Sequence, residues 1–185
     1  MKVTFFKNVY DKQAPHHVSI VSALDRIRDG KSKDTIQLVR DGDKDAKKKL
    51  PVVCFSGEFT ERNDDALFEH SGFIVLDFDH INVETSKQAL ATDPYVYSCW
   101  VSPSGDGLKA LVRVTNSERH RDHFRALVTY FSKQYTLEVD ESGINESRAC
   151  FESYDPDIVI KDEVKKFGAF LTEQAELQAP TNDGY

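Results

Sequence analysis

The sequence predicts an α+β protein. Apolar runs of strand length and helical periodicities succeed one another through the middle of the chain, and a separate strand–helix–strand unit precedes them. An apolar fraction of 39%, with 12 Phe and 7 Tyr, supplies the material for a core. The 185 residues suffice for one well-buried domain. That domain is expected over residues 1–175, with a polar tail over 176–185 whose composition suits a linker.

The elements follow in order. Val3 to Val9 reads as a strand, and Ser19 to Arg28 as a helix with Val18, Val21, Leu24 and Ile27 near one face, ended by Gly30. Lys31 to Lys49 is charged and irregular, which predicts a loop. Pro51 to Phe55 returns as a strand turned by Ser56-Gly57, and Asn63 to Glu69 reads as a short helix capped by Asn63. Next come strand Phe73–Asp79, helix Glu84–Ala91, strands Tyr95–Val101 and Leu108–Val114, helix Glu118–Gln134 and strand Thr136–Val139. This β-α-β-β-α-β succession, spanning about residues 72–140, is the ferredoxin-like order also used by RNA-recognition motifs. Short strands are expected at Arg148–Tyr154 and Ile158–Ile160. Val164, Phe167 and Phe170 predict a helix over Glu163–Glu173.

Composition excludes some classes. A formal net charge of −7 argues against a protein that coats nucleic acid by charge alone. No apolar run approaches the length of a membrane span, and Met1–Lys7 is too short and too soon charged for a signal peptide. Cys54, Cys99 and Cys150 lie in apolar runs without CxxC spacing, which reads as reduced core thiols and a cytoplasmic setting. His120 and His123 read as solvated helix residues, and His16-His17 as part of a polar turn, so no zinc site is expected. The basic group Lys44 and Lys47-Lys48-Lys49 is either a solvated loop or a phosphate contact.

The chemistry concentrates at Gly72-Phe73-Ile74-Val75-Leu76-Asp77-Phe78-Asp79. Side chains alternate across a strand, so Asp77 and Asp79 share a face, roughly 7 Å apart. Two carboxylates leaving an apolar strand repel unless a proton or cation lies between them, and a hard divalent cation is the usual solution. In the ferredoxin-like order the first and third strands are antiparallel neighbours. The end of the first therefore lies beside Ser102-Pro103-Ser104-Gly105-Asp106-Gly107-Leu108-Lys109. The glycines free the backbone to approach an anion, Ser102 and Ser104 can donate, and Lys109 adds a compact positive charge. A metal-held nucleoside triphosphate fits that pairing. The loop is not a Walker A sequence. Val139-Asp140 offers either a third carboxylate or a strand-end turn with Glu141 and Gly143. Arg148 pairs with a phosphate, with Glu152 or with Asp155.

On these motifs the chain resembles the catalytic domain of the archaeo-eukaryotic primase superfamily, the primase-polymerases, in the compact mobile-element form found before virulence-protein-E-like helicase regions. The resemblance runs from about Lys49 to Asp157. It rests on Leu76-Asp77-Phe78-Asp79, on Ser104-Gly105-Asp106-Gly107-Leu108-Lys109 and on Val139-Asp140, in that order, with Arg148-to-Pro156 similar to a segment of the compact subgroup. It implies a primase-polymerase catalytic fold and nucleotidyl transfer to a 3′-hydroxyl. Asp77, Asp79 and Asp140 would hold Mg²⁺ or Mn²⁺. Ser102, Ser104, Gly105, Gly107, Lys109 and Arg148 would bind the nucleotide. Expected partners are nucleoside triphosphates, single-stranded or primed DNA template and a helicase, with no membrane. Many members carry histidine where this chain has Lys109; lysine keeps the charge but cannot accept a hydrogen bond. The rival readings are a metal-dependent nuclease and a non-catalytic DNA-binding or assembly module on the same scaffold.

Overall fold

The computed structural model describes residues 1–173. The α+β class holds, with antiparallel sheets and helices. The first unit contains β1 (Lys2–Phe6), β2 (His16–Ser19), α1 (Ile20–Asp29), α2 (Lys33–Arg40), α3 (Lys44–Lys49), β3 (Val52–Cys54), β4 (Gly57–Phe59) and β5 (Leu67–His70). The second contains β6 (Phe73–Phe78), α4 (Val83–Thr92), β7 (Val96–Val101), β8 (Leu108–Arg113) and α5 (His120–Tyr135). Two short strands follow, β9 (Cys150–Phe151) and β10 (Val159–Ile160). They return to separate sheets, in the orders β2-β1-β3-β9 and β10-β7-β8-β6.

Local chemistry explains most boundaries. Ser19 starts α1, its hydroxyl accepting from the Ser22 N–H at 3.0 Å, and Gly30 ends it at φ +73°, where a side chain would be strained. The buried face of α1 is Ile20, Ala23, Leu24 and Ile27; Val21, expected there, is exposed. Asn82 caps α4 by accepting from the Thr85 N–H at 3.1 Å.

Several expectations need correction. Lys31–Lys49 is not a loop: it forms α2 and α3, which between them bury little more than Ile36 and Ala46. Asn63 does cap a turn, but only a 3₁₀ turn over Asp64–Ala66, and the chain then pairs as β5 with β4. His16 and His17 lie on β2. Residues 136–139 form no ladder, although Leu137 and Val139 are buried and the Asp140 N–H reaches the Asp77 carbonyl at 2.9 Å. The helix expected at Glu163–Glu173 is absent over 163–172. There the backbone is tied to the second unit instead: the Phe167 N–H donates to the Arg113 carbonyl at 2.7 Å, and the Phe167 carbonyl accepts from the Thr115 N–H at 3.0 Å. The tail over 176–185 lies outside the described residues.

His120 and His123 are buried, not solvated. The Gly72 N–H donates to Nδ1 of His70, so the proton of His70 sits on Nε2, which donates to Nδ1 of His120 at 3.0 Å. Nδ1 of His123 donates to the Ala169 carbonyl at 2.6 Å. The three cysteines are free and buried, as expected.

Strand β6 is buried on both faces, and this positions the site. Ile74, Leu76 and Phe78 pack with Leu90 of α4 and with Phe124, Leu127 and Phe131 of α5. Phe73 and Val75 face the other way, into a core with Trp100, Leu111, Val53, Phe55 and the buried side of α1. That second core joins the two units. By strand alternation Asp77 is the next residue on the Phe73–Val75 side. Apolar packing between the units therefore ends at a carboxylate.

Candidate functional site

A cleft of about 440 Å³ opens where that core stops, within the usual size of a small-ligand site. Asp77, Asp79, Ser102, Ser104, Lys109, Asp140 and Arg148 all line it. Strand pairing builds its floor: β6 and β8 are antiparallel with Asp77 directly opposite Lys109, and the Lys109 ammonium ion-pairs with Oδ1 of Asp77. Arg148 closes the other side. Its Nη2 lies 3.2 Å from Oδ2 of Asp77 and 3.0 Å from Oδ2 of Asp140. Neither Glu152 nor Asp155 is its partner, because Arg26 holds Glu152 at 2.5 Å and Lys87 holds Asp155 at 2.6 Å.

The electrostatics follow from burial and pairing. Burial alone would raise the Asp77 carboxyl, but Lys109 and then Arg148 outweigh it and hold it below its ordinary value. Burial works against the Lys109 charge, yet the Cys150 sulfur and the Asp77 carboxylate together raise its pKa. Of these two, Asp77 is the one charged at neutral pH, since burial pushes the Cys150 thiol up to about 11. Asp77 is thus an ionised carboxylate neutralised by the protein's own cations.

Asp140 serves two ends. Its carboxylate accepts from the Ser142 N–H at 3.0 Å and the Ser142 hydroxyl at 2.8 Å, capping a 3₁₀ turn over Glu141–Gly143, and it also faces the cleft. Asp79 is exposed and makes no hydrogen bond or ion pair with any described residue.

The loop before β8 is a tight turn. The Ser102 N–H donates to the Gly107 carbonyl at 2.9 Å and the Gly105 N–H to the Ser102 carbonyl at 3.0 Å, so both are engaged within the loop. Ser104 donates to Asp106 at 2.6 Å. Gly105 adopts φ +85°, and a Cβ on Gly107 would stand 2.4 Å from the Phe78 carbonyl. These glycines let the loop turn and pass close over the end of β6. Neither lines the cleft; the two serines do.

Among the described residues no three His, Cys, Asp or Glu side chains are grouped so as to hold a metal ion. The donor chemistry nevertheless fits Mg²⁺ or Mn²⁺. The acidic donors of the cleft are carboxylate oxygens, joined by the Ser102, Ser104 and Ser147 hydroxyls and the Asn145 amide, and Mg²⁺ is commonly bound through one or two carboxylates with substrate phosphates completing its shell. Asp79 is the unpaired carboxylate of the three. Asp77 and Asp140 would have to exchange an internal cation for the ion.

Sequence reasoning left Val9, Arg62, Asn145, Ser147, Ala149 and Phe151 out of the site, although all line the cleft. They come from the first unit and from the chain entering β9, which the strand pattern of 72–140 does not position. Lys47, from the basic group left open between loop and phosphate contact, lines it as well.

Fold and site together define an α+β protein whose two units meet at a cleft of paired carboxylates and cations. A family model described as BT4734-like, N-terminal domain, matches residues 45–159, well over half of the chain, and the protein belongs to that family. The match takes in every residue lining the cleft except Val9. No curated protein and no solved structure matches the chain. Among the described residues, no helix is long and apolar enough to cross a membrane.

Proposed function

We propose that the chain is the catalytic domain of a primase-polymerase, a nucleotidyltransferase that extends a nucleic-acid 3′-hydroxyl on a template. The observation that carries this function is the meeting of Asp77, Asp79 and Asp140 with Lys109, Arg148, Ser102 and Ser104 in one cleft. Those residues come from four separated stretches of the sequence. The β7-β8-β6 order, with residues 136–139 beside β6, accords with the ferredoxin-like core of that fold.

In this mechanism Asp77, Asp79 and Asp140 would hold the divalent ions. Lys109 and Arg148 neutralise the triphosphate, and the Ser102 and Ser104 hydroxyls orient it. Mg²⁺ or Mn²⁺ held at the carboxylates would supply Lewis-acid activation of the attacking hydroxyl and charge stabilisation of the leaving pyrophosphate. The substrates are nucleoside triphosphates and single-stranded or primed DNA, and the family resemblance adds a helicase as partner.

The pairing of Asp77 with two internal cations favours a second reading, a non-catalytic nucleic-acid-binding module. Primer extension with labelled triphosphates and Mg²⁺ or Mn²⁺ separates the two. Asp79→Ala is the control of choice, because Asp79 is exposed and unpaired. Extension by the wild type and none by this folded variant is expected. Metal-dependent shortening of the strand without nucleotide would identify a nuclease, and no reaction in any primer-template would leave the binding module.

A further inference from the structure

We propose that Arg62 and Lys47 form a second anion site in the cleft that holds the carboxylates, and that it takes the backbone phosphates of a single nucleic-acid strand. This rests on the polymerase function proposed above and assigns the path of the strand. Arg62 is half-buried and lines the cleft. Its side chain has one partner among the described residues, the Val9 carbonyl, to which Nη2 donates at 2.6 Å, and its Nε is buried without one. No carboxylate of the described residues pairs with it. Arg26, Arg28, Arg119, Arg121 and Arg148, by contrast, each meet an aspartate or glutamate. Lys47 also meets no carboxylate of the described residues; its ammonium lies 5.4 Å from the centre of the Phe151 ring, which lines the same cleft.

Half-buried cations without carboxylates call for an anion. Lys109 and Arg148 already supply the positive charge beside the carboxylates, where a triphosphate would lie. Arg62 also lines a second groove of about 400 Å³, which shares Arg62 and Ser147 with the cleft and carries Lys12, Gln13, Asn63 and two carboxylates, the exposed Glu61 and Asp64, which Arg121 neutralises at 2.9 Å. A mononucleotide held at the carboxylates does not need that extension, whereas a polymer with regularly repeated phosphates does. Within the cleft, Arg62 and Lys47 beside the Phe151 ring give the pairing of cations with an aromatic face that binds single strands without reading sequence.

The test uses the full chain, a short fluorescein-labelled oligothymidylate followed by anisotropy over a range of salt, and calorimetry with Mn²⁺ and a non-hydrolysable triphosphate. Arg62→Ala and Lys47→Ala should each weaken oligonucleotide binding about threefold to tenfold and lower the salt slope by about 0.7 per lost phosphate contact. Both should keep wild-type affinity for the Mn²⁺–triphosphate. Arg62→Lys should recover part of the loss. Because Arg62 also anchors the Val9 carbonyl, Lys47→Ala provides the variant free of a backbone anchor. Unchanged oligonucleotide affinity and salt slope in folded Arg62→Ala and Lys47→Ala would overturn the proposal, as would equal losses of triphosphate and oligonucleotide. Wild-type protein that binds Mn²⁺–triphosphate but no oligonucleotide rejects the strand site alone. Protein that binds neither rejects the polymerase function with it.

Discussion

Asp77 and Lys109 face each other across the β6–β8 ladder, and each is the other's counter-ion in the interior of the protein. The counter-cation that Asp77 needs is therefore, in this structure, a lysine from the neighbouring strand, reinforced by Arg148, while Asp79 pairs with neither. Repulsion between Asp77 and Asp79 would make loss of either aspartate neutral or stabilising in the absence of metal. The pairing reverses that expectation for Asp77 and leaves it standing for Asp79.

Stability should thus separate the two aspartates. Asp77→Ala leaves the buried Lys109 ammonium unpaired, and breaking a buried pair at one partner costs about 3–5 kcal/mol. The exposed, unpaired Asp79 should tolerate alanine within about 0.5 kcal/mol. Urea denaturation in chelator measures both. Equal stability of the two variants would contradict the pairing.

Metal and nucleotide should bind cooperatively. An ion taken up alone at Asp77 would displace Lys109 and Arg148 from their carboxylates, and a triphosphate taken up alone would have to draw them away. Together, the two ligands exchange partners with no buried charge left over. Mn²⁺ affinity measured by calorimetry should rise at least about tenfold with a non-hydrolysable triphosphate present, within the usual range of coupling energies. Lys109→Ala should lose most of this coupling and Lys109→Arg should keep part of it. Additive binding of the two ligands would rule out the exchange.

Acid should weaken the fold through the histidine pair. Burial lowers His70 to about 4 and His120 to about 3, against about 6.5 in the unfolded chain. Both rings are neutral in the fold. Below about pH 6.5 the unfolded chain takes up protons that the folded one refuses, so stability is complete above that pH and declines as pH falls towards the folded values. The urea midpoint should drop between pH 7.5 and pH 5, and His120→Gln should flatten that dependence. A wild-type midpoint independent of pH over this interval would refute the assignment.

The sequence by itself determined the α+β class, the positions of β6, β7, β8 and α5, and the residue types of the carboxylate end. Strand alternation, helical period and a glycine-containing turn are local properties, and each survives in the fold. Asp77, Asp79, Ser102, Ser104, Lys109, Asp140 and Arg148 could be picked out because their motifs are short and contiguous. Tertiary structure decided the rest. Helices α2 and α3 bury so few apolar residues that their charged sequences carry little hydrophobic signal, and contacts distant in sequence hold them, Arg40 donating to the Tyr154 carbonyl at 2.9 Å and Lys47 lying over the Phe151 ring. The spacing of Val164, Phe167 and Phe170 suggests a helix, but backbone bonds from Phe167 to Arg113 and Thr115 hold the chain extended along the second unit. The partners of Arg148 and the unpaired state of Arg62 depend on residues far apart in sequence, brought together only when the core between the two units forms. Charge pairing at that distance has no local signature, and it governs how this cleft would exchange its internal ions for a ligand.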